Sequence, residues 1–332
     1  MFIVESYSLA VMLCFVNMIC WGSWANTQKL ASQKWSFQLY YWDYSIGVIL
    51  LSLLMAFTLG SSGELGRGFI DDITQAESAA LFNAFLGGVI FNIANLLLVI
   101  AIDITGMAVA FPVGIGLALV IGVIDNYLKD PSANQYLIFI GVVLIITAII
   151  LNALAYSKLP NKQSGSKKGI IIALIAGVSM GFFYGFVAES MSLNFEQPEA
   201  GKLTPYSALF IFSIGLFISN FVFNTINMYQ PISGEKTSYK EYFSMGTPKL
   251  HFIGILGGMI WGLGMGLNIL ASEKASPAVS YGLGQGATMV AAFWGVYIWK
   301  EFKTAPKGTN KILNLMFLLF IVGLGLIVYS KL

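Results

Sequence analysis

The sequence predicts an all-α integral membrane protein of ten transmembrane helices, arranged as two inverted five-helix repeats. Three observations carry that expectation. Of the 332 residues, 57% are hydrophobic and only 10% charged, whereas a soluble domain carries roughly a quarter charged residues. Apolar stretches of about 20 residues, enough to cross some 30 Å of hydrocarbon, recur ten times. The second half also echoes the first. Residues 86–120 moved forward by 170 positions meet 256–290 without a gap, so that Leu86-Gly87-Gly88 falls on Leu256-Gly257-Gly258 and Phe91 on Trp261. Asp103 meets Glu273, Phe111 meets Tyr281, and Gly114 and Gly116 meet Gly284 and Gly286.

The ten apolar segments lie near 7–27, 42–60, 79–101, 105–125, 134–156, 169–190, 204–229, 250–271, 276–298 and 311–330, numbered below as spans 1 to 10. The opening Met1-Phe2-Ile3-Val4-Glu5 is acidic where a cleavable leader is basic, so the first segment reads as a span. Asp103-Ile104-Thr105 and Glu273-Lys274-Ala275 make tight polar turns between spans 3 and 4 and between spans 8 and 9. Residues 157–168, rich in Pro, Gly, Ser and Lys, read as a solvated linker between a first half, 1–156, and a second, 169–332. Five spans put the two ends of a half on opposite sides of the membrane, so a second copy joined by a short linker runs upside down.

Orientation follows from the cationic side chains. Loops after odd-numbered spans hold thirteen of the eighteen lysines and arginines; the other side, with both termini, holds Arg67, Lys129, Lys202, Lys274 and Lys331. The positive-inside rule therefore places the odd loops in the cytoplasm and both termini outside. The aromatic cluster Trp35, Tyr40, Tyr41, Trp42 and Tyr44 suits a belt at the cytoplasmic interface.

Several function classes are set aside. The near-neutral balance of +2 has no basic stripe for nucleic acid. Gly165-Ser166-Lys167 lacks the first glycine of a phosphate-binding loop. Cys14 and Cys20 share one apolar segment with no histidine near, so they read as core thiols, and His251 as a residue at the water edge. No metal and no cofactor is expected, and an intramembrane enzyme would need a nucleophile with its base at depth.

A polar side chain facing lipid is costly, so those within spans face other helices or a watery cavity. Span 1 carries Asn17, Trp21, Trp24 and Gln28 at helical spacing, an amide and two indoles that could wall a flat polar solute or pack helices. Asn92 and Asn95 of span 3 are neighbours on one face, open to the same two readings. Ser213, Asn220, Asn224 and Asn227 stripe span 7 and read as interhelical glue. Spans 8 and 9 add Trp261, Asn268, Tyr281 and Gln285; span 4 adds Phe111, with Pro112 among glycines suited to a gate or to close packing. Glu189, at the end of span 6, is the first candidate proton carrier and Asp43 the second; a helix-end carboxylate is the simpler role for each.

Phe2-Ile3-Val4-Glu5-Ser6, Gly22-Ser23-Trp24, Tyr41-Trp42-Asp43-Tyr44 and Thr58-Leu59-Gly60 resemble the N-terminal pattern of ureide permeases, of the drug/metabolite transporter superfamily. Gly106 to Tyr127, with Ala110-Phe111-Pro112-Val113-Gly114, is similar to bacterial members. The resemblance implies two inverted five-helix repeats around a cavity lined mainly by spans 1, 3, 4, 6, 8 and 9, in a bacterial cytoplasmic membrane. Similar plant proteins carry allantoin and oxo-pyrimidines with protons; their longer central loop, with its phosphate-loop-like sequence, is absent here. Neighbouring bacterial families take up glucose, ribose or rhamnose. The expected partner is thus a small polar solute with protons, the alternatives being monosaccharide uptake or export of drugs or metabolites. The sequence leaves monomer and homodimer equally open.

Overall fold

The computed structural model describes residues 1–31, 35–159 and 166–332; half of the expected linker, 160–165, lies outside the described residues. Among those described, nine helices are long and apolar enough to cross a membrane: Tyr7–Ala31, Phe37–Phe57, Ser78–Thr105, Phe111–Lys129, Gln135–Tyr156, Lys167–Ser190, Pro205–Tyr229, Pro248–Ala275 and Thr309–Tyr329. They correspond to the expected spans 1–8 and 10. The described residues form no strand, only an isolated bridge between Met191 and Leu203.

Local chemistry sets the helix starts. Ser6 accepts a hydrogen bond from Leu9 N–H, Thr247 from Leu250 N–H, and Asn134 from Tyr136 and Leu137 N–H. Prolines 205, 248 and 277 occupy first-turn positions, where a missing N–H costs nothing.

Span 9 is where the structure departs from ten continuous helices. It runs as Pro277–Gly284, breaks at Gln285 and Gly286, resumes as Ala287–Phe293 and ends in a wider π turn, Trp294–Ile298. Span 4 is distorted at the matching place, with Met107–Ala110 followed by a π turn at Phe111–Ile115 and then Gly116–Lys129. Pro112 accounts for the latter, because it removes one ladder donor. The turns into these two spans match as well. Gly106 has φ 76° and ψ 163°, and Ser276, 170 positions on, has φ 72° and ψ 151°. Ser276 holds a conformation that normally needs glycine, steadied by its own Oγ accepting from Val279 N–H.

Span 3 packs on span 6 and span 8 on span 1; span 8 also packs on span 2, and span 7 on span 3. Span 10 lies on span 5, and span 7 on span 2. Exchanging each span for the one five places along maps this set onto itself: the first four pairs interchange, and the pairs 5 with 10 and 2 with 7 return to themselves. Glycines allow the closest approaches. A Cβ added to Gly88 would sit 2.0 Å from the Phe212 carbonyl on span 7, and one added to Gly258 would sit 1.9 Å from the Tyr44 carbonyl on span 2.

The two ends of the bundle gather alternate loops. At one end, Met1 N donates to Leu65 O at 2.6 Å, Arg67 to Pro198 O at 2.8 Å and Asn134 N to Ser330 O at 2.6 Å, joining both termini to the loops after even spans. At the other, Lys29 pairs with Glu301 at 2.5 Å, and Tyr156 donates to the same carboxylate at 2.8 Å.

Candidate functional site

A cavity of about 330 Å³ opens between spans 1, 3, 4, 6, 8 and 9, in the half of the bundle nearer the odd loops. Its floor is aromatic. The Trp21 and Trp261 rings stack with centroids 5.8 Å apart and planes 9° from parallel, and Trp21 Nε1 donates to Trp261 O at 3.3 Å. Phe91 lies against Trp261 with ring centroids 4.2 Å apart, so the two residues aligned by the 170-position shift touch each other. Phe183 and Phe212 extend the stack. Trp24, held at 5.1 Å from Tyr44, makes a side wall with Phe111.

Polar groups enter this apolar shell at few points: Gln28, Asn95, Gln285 and Thr288. Asn95 Nδ2 donates to the Tyr41 hydroxyl at 3.2 Å, which fixes the amide. Gln285 reaches the cavity because span 9 breaks at this residue. None of the described lining residues is ionisable. The chamber is small on the scale of ligand pockets, about 300–1,000 Å³. Its chemistry suits a compact, uncharged solute with a flat face for the indoles and hydrogen-bonding edges for the amides.

Of the ten residues read as cavity-lining, Trp21, Trp24, Asn95, Phe111, Trp261 and Gln285 come together here, and Asn17, Asn92, Asn268 and Tyr281 lie elsewhere. Asn92 is buried between spans, its Nδ2 donating to Ser219 Oγ at 2.8 Å. Asn17, Asn268 and Tyr281 lie beneath the floor. The Tyr281 hydroxyl hydrogen-bonds to the carbonyls of Met180 at 3.1 Å and Ala118 at 3.3 Å, tying span 9 to spans 6 and 4 on the closed side. Span 7 behaves as interhelical glue: Asn220 donates to Ser45, Asn224 to the Gln38 carbonyl, and Ser213 shares a bond with Ser52. The apolar and small lining residues Ile115, Met180, Phe183 and Thr288 were missed, since nothing in an apolar run marks the face that borders a chamber.

Both candidate proton carriers stand outside the cavity. Glu189 is exposed at the end of span 6, with its carboxylate 3.8 Å from Lys129 Nζ. Asp43 is buried near the odd-loop end and accepts three hydrogen bonds, from Tyr242 OH at 2.6 Å, His251 Nδ1 at 2.8 Å and Trp35 Nε1 at 3.0 Å. His251 is therefore one member of a knot that joins spans 2 and 8 to the short helix Tyr239–Met245. Burial, followed by the neighbouring Asp43 carboxylate, pushes the Tyr242 hydroxyl well above the ordinary tyrosine range, so it stays a donor. Cys14 and Cys20 are buried free thiols, and no cluster of metal-ligating acids, histidines or cysteines occurs among the described residues.

Comparison with known proteins adds to this geometry. A family model described as ureide permease matches residues 40–168 and 160–330. Ureide permease 5 and ureide permease 2 of Arabidopsis thaliana are each 24% identical, across 99% and 100% of this chain and 96% and 99% of their own lengths. A putative sugar uptake protein of Listeria innocua is 23% identical over 71% of this chain and 74% of its own. A solved structure described only as "Crystal structure of protein" superposes with a TM-score of 0.60 at 12% identity, covering 97% of this chain and 96% of that one. That likeness extends to the fold alone.

Proposed function

We propose a cargo and a mode of action for this chain, which belongs to the ureide permease family. It moves a small, uncharged, ureide-like or nucleobase-like solute of the allantoin or oxo-pyrimidine kind across a bacterial cytoplasmic membrane, with both termini outside. The observation that carries this reading is the chamber itself: three indoles and three phenylalanines for a flat ring, four neutral hydrogen-bonding side chains for its edges, and no charge among the described lining residues. Unpaired amides against a purely apolar drug would be costly, which argues for polar cargo.

Transport works by alternating access between two inverted halves, 1–156 and 169–332, joined by residues 157–168. The paired packing of spans and the matched turns at Gly106 and Ser276 support that reading. The cavity sits toward the odd-loop end, the cytoplasmic side by charge, while the Trp261 stack and the Tyr281 bonds seal the other. Movement of the distorted fourth and broken ninth spans would open that seal.

The cargo is tested by thermal unfolding of purified protein with allantoin, nucleobases, nucleosides and monosaccharides. A ligand at a hundred times its Kd stabilises by about 2.7 kcal/mol, so ureides or oxo-pyrimidines should raise the midpoint and Gln285→Ala should weaken the response. Protection confined to sugars would transfer the reading to the monosaccharide class, which the Listeria relative's name suggests for that protein.

An ion gradient drives the cycle, since the sequence has no nucleotide-binding motif. A proton carried at Asp43 is the coupling reading that burial favours, and Glu189, open to solvent beside Lys129, stands second. In proteoliposomes, Asp43→Asn should abolish stimulation of uptake by an inward proton gradient, whereas Glu189→Gln should keep it. The reverse pattern would place coupling at Glu189.

A further inference from the structure

The outer face of the bundle carries a second concavity, of about 780 Å³, between spans 1, 9 and 10. Apolar side chains are exposed wherever a span meets lipid, so exposure alone carries no signal here. Shape does. Span 10 packs on Pro277–Gly284 and hardly on the parts of span 9 beyond the break, whereas span 5 packs along all three parts of span 4. The broken span and its neighbour diverge, and a groove opens where the repeat-related pair stays together.

Polarity changes along this groove. Its deeper part is lined by Ile19, Met289 and Ile321. Nearer the odd-loop end come Ser23, Trp294, Tyr297 and Asn314, with Trp294 Nε1 donating to Ser23 Oγ at 2.9 Å. Asn314 is exposed on the wall of a membrane span, its side-chain amide without a hydrogen bond to the other described residues. Lys311, Asn314, Leu318 and Ile321 follow at steps of three, four and three, so one stripe of span 10 runs from a cation through an amide into hydrocarbon.

Charge gathers at the same end. The loop 299–308, which joins the two groove walls of spans 9 and 10, adds Lys300, Lys303 and Lys307. None of these four lysines pairs with a carboxylate among the described residues, and the loop's one acid, Glu301, is taken by Lys29. Moved back by 170 positions, the loop falls on 129–138, whose charged residues are Lys129 and Asp130. Both departures from symmetry, the open groove and the added cations, thus fall at one place. A cation, then an amide and an indole, then an aliphatic wall match the order of groups along a phospholipid with an anionic head. A second copy docked here through a two-fold axis would instead set the same lysines against each other.

We propose that the groove binds one anionic phospholipid, its phosphate held by Lys311 and the lysines of 299–308 and an acyl chain lying between spans 9 and 10. The helix Ala287–Phe293 gives this site a consequence. Its Ala287, Thr288 and Ala291 line the cargo cavity, and its Met289, Val290 and Phe293 line the groove. A single helix therefore separates cargo from lipid, and a seated lipid steadies the segment after the break. That consequence rests on the transport reading; the binding itself does not.

The test adds phosphatidylglycerol or phosphatidylcholine with identical chains to purified full-length protein in a non-ionic detergent. The unfolding midpoint is followed, and native mass spectrometry counts retained lipid and protein copies. Phosphatidylglycerol should raise the midpoint saturably, remain bound as one molecule per chain, and reach half-saturation at a lower concentration than phosphatidylcholine. Lys311→Gln should weaken that half-saturation about fivefold, the worth of one lysine near an anionic membrane surface. Lys303→Gln, Lys307→Gln and Lys311→Gln combined should remove the preference for the anionic lipid. Leu318→Trp, which fills the groove from an exposed position, should weaken both lipids; general attraction between lysines and anionic lipid would not respond to it. Equal responses to the two lipids overturn the proposal, as does a preference that the triple variant or Leu318→Trp leaves intact. A stable dimer that Leu318→Trp splits also overturns it, giving the groove to a second copy. If Leu318→Trp does not fold, the triple variant decides, because all three lysines are exposed. Protection by ureides without a lipid preference removes this site and leaves the transport reading standing; lipid binding without protection by any solute does the opposite.

Discussion

Replacing Trp261 with alanine is expected to abolish uptake and to lower the unfolding midpoint more than any other change to the cavity wall. Trp261 is buried against four aromatic rings: Trp21 at 5.8 Å, Phe91 at 4.2 Å, Phe212 at 5.8 Å and Tyr44 at 6.3 Å. Truncating a large aromatic in a packed core costs about 3–5 kcal/mol. Within a membrane the loss is one of packing, because lipid and protein interior are similarly apolar. The functional loss has a separate cause. Trp261 is part of the floor dividing the chamber from the closed side, and its carbonyl orients Trp21. Without the indole, the floor has a hole and the opposing wall has lost its stacking partner. Trp261→Phe keeps a ring at the centre of the stack, so it should retain most of the stability and a measurable fraction of uptake. Unfolding in detergent and uptake in proteoliposomes, measured on both variants, separate the two effects. An alanine variant that transports at the normal rate would show that the stack is not the barrier.

How far this site could be read in advance depends on what helical periodicity encodes. Spacing gives the azimuth of a side chain around its helix and says little about depth along the pathway. Asn17, Trp21, Trp24 and Gln28 do share a face, as their steps of four, three and four require. The cavity begins at Trp21, however, and Asn17 falls one turn below the floor that Trp21 and Trp261 build. Tyr281 and Gln285 are likewise one turn apart, yet they serve opposite sides of the floor, because the helix breaks just after Gly284. That break had only a faint sequence signal, glycines at 282, 284 and 286, whereas Pro112 announced the distortion of span 4. Spans 1–8 and 10 were legible because twenty-residue apolar runs in a chain this poor in charge have one stable solution. The Asp43 knot was not. It depends on His251, 208 positions away, and on Tyr242 in a short helix between spans 7 and 8. No local pattern brings such residues together; only packing of span 8 on span 2 does so.

Alanine at Gly88 or Gly258 is expected to be nearly as damaging as loss of Trp261, for the opposite reason. Each glycine lies where two helices cross with backbones almost in contact. The added methyl would meet a main-chain carbonyl, Phe212 O at 2.0 Å or Tyr44 O at 1.9 Å. A flexible side chain could swing aside, but a carbonyl within a helix cannot move without its ladder. Span 3 must therefore back away from span 7, or span 8 from span 2. Overpacking of this kind costs about 1–3 kcal/mol, occasionally more. It also pushes apart the helices that carry Asn95 and Trp261 into the chamber. Because the two positions are related by the 170-residue shift and meet equivalent partners, the variants should lose expression, monodispersity and thermal stability to a similar degree. Gly116 is the control: a Cβ there has no neighbour within 4 Å, and alanine improves helix propensity. Gly116→Ala should therefore express and unfold like the unaltered protein. If Gly88→Ala and Gly258→Ala behaved like Gly116→Ala, the close crossings of spans 3 with 7 and 8 with 2 would be wrong. If only one of the pair failed, the two crossings would differ in how much of the structure depends on them, and the halves would be equivalent in path without being equivalent in load.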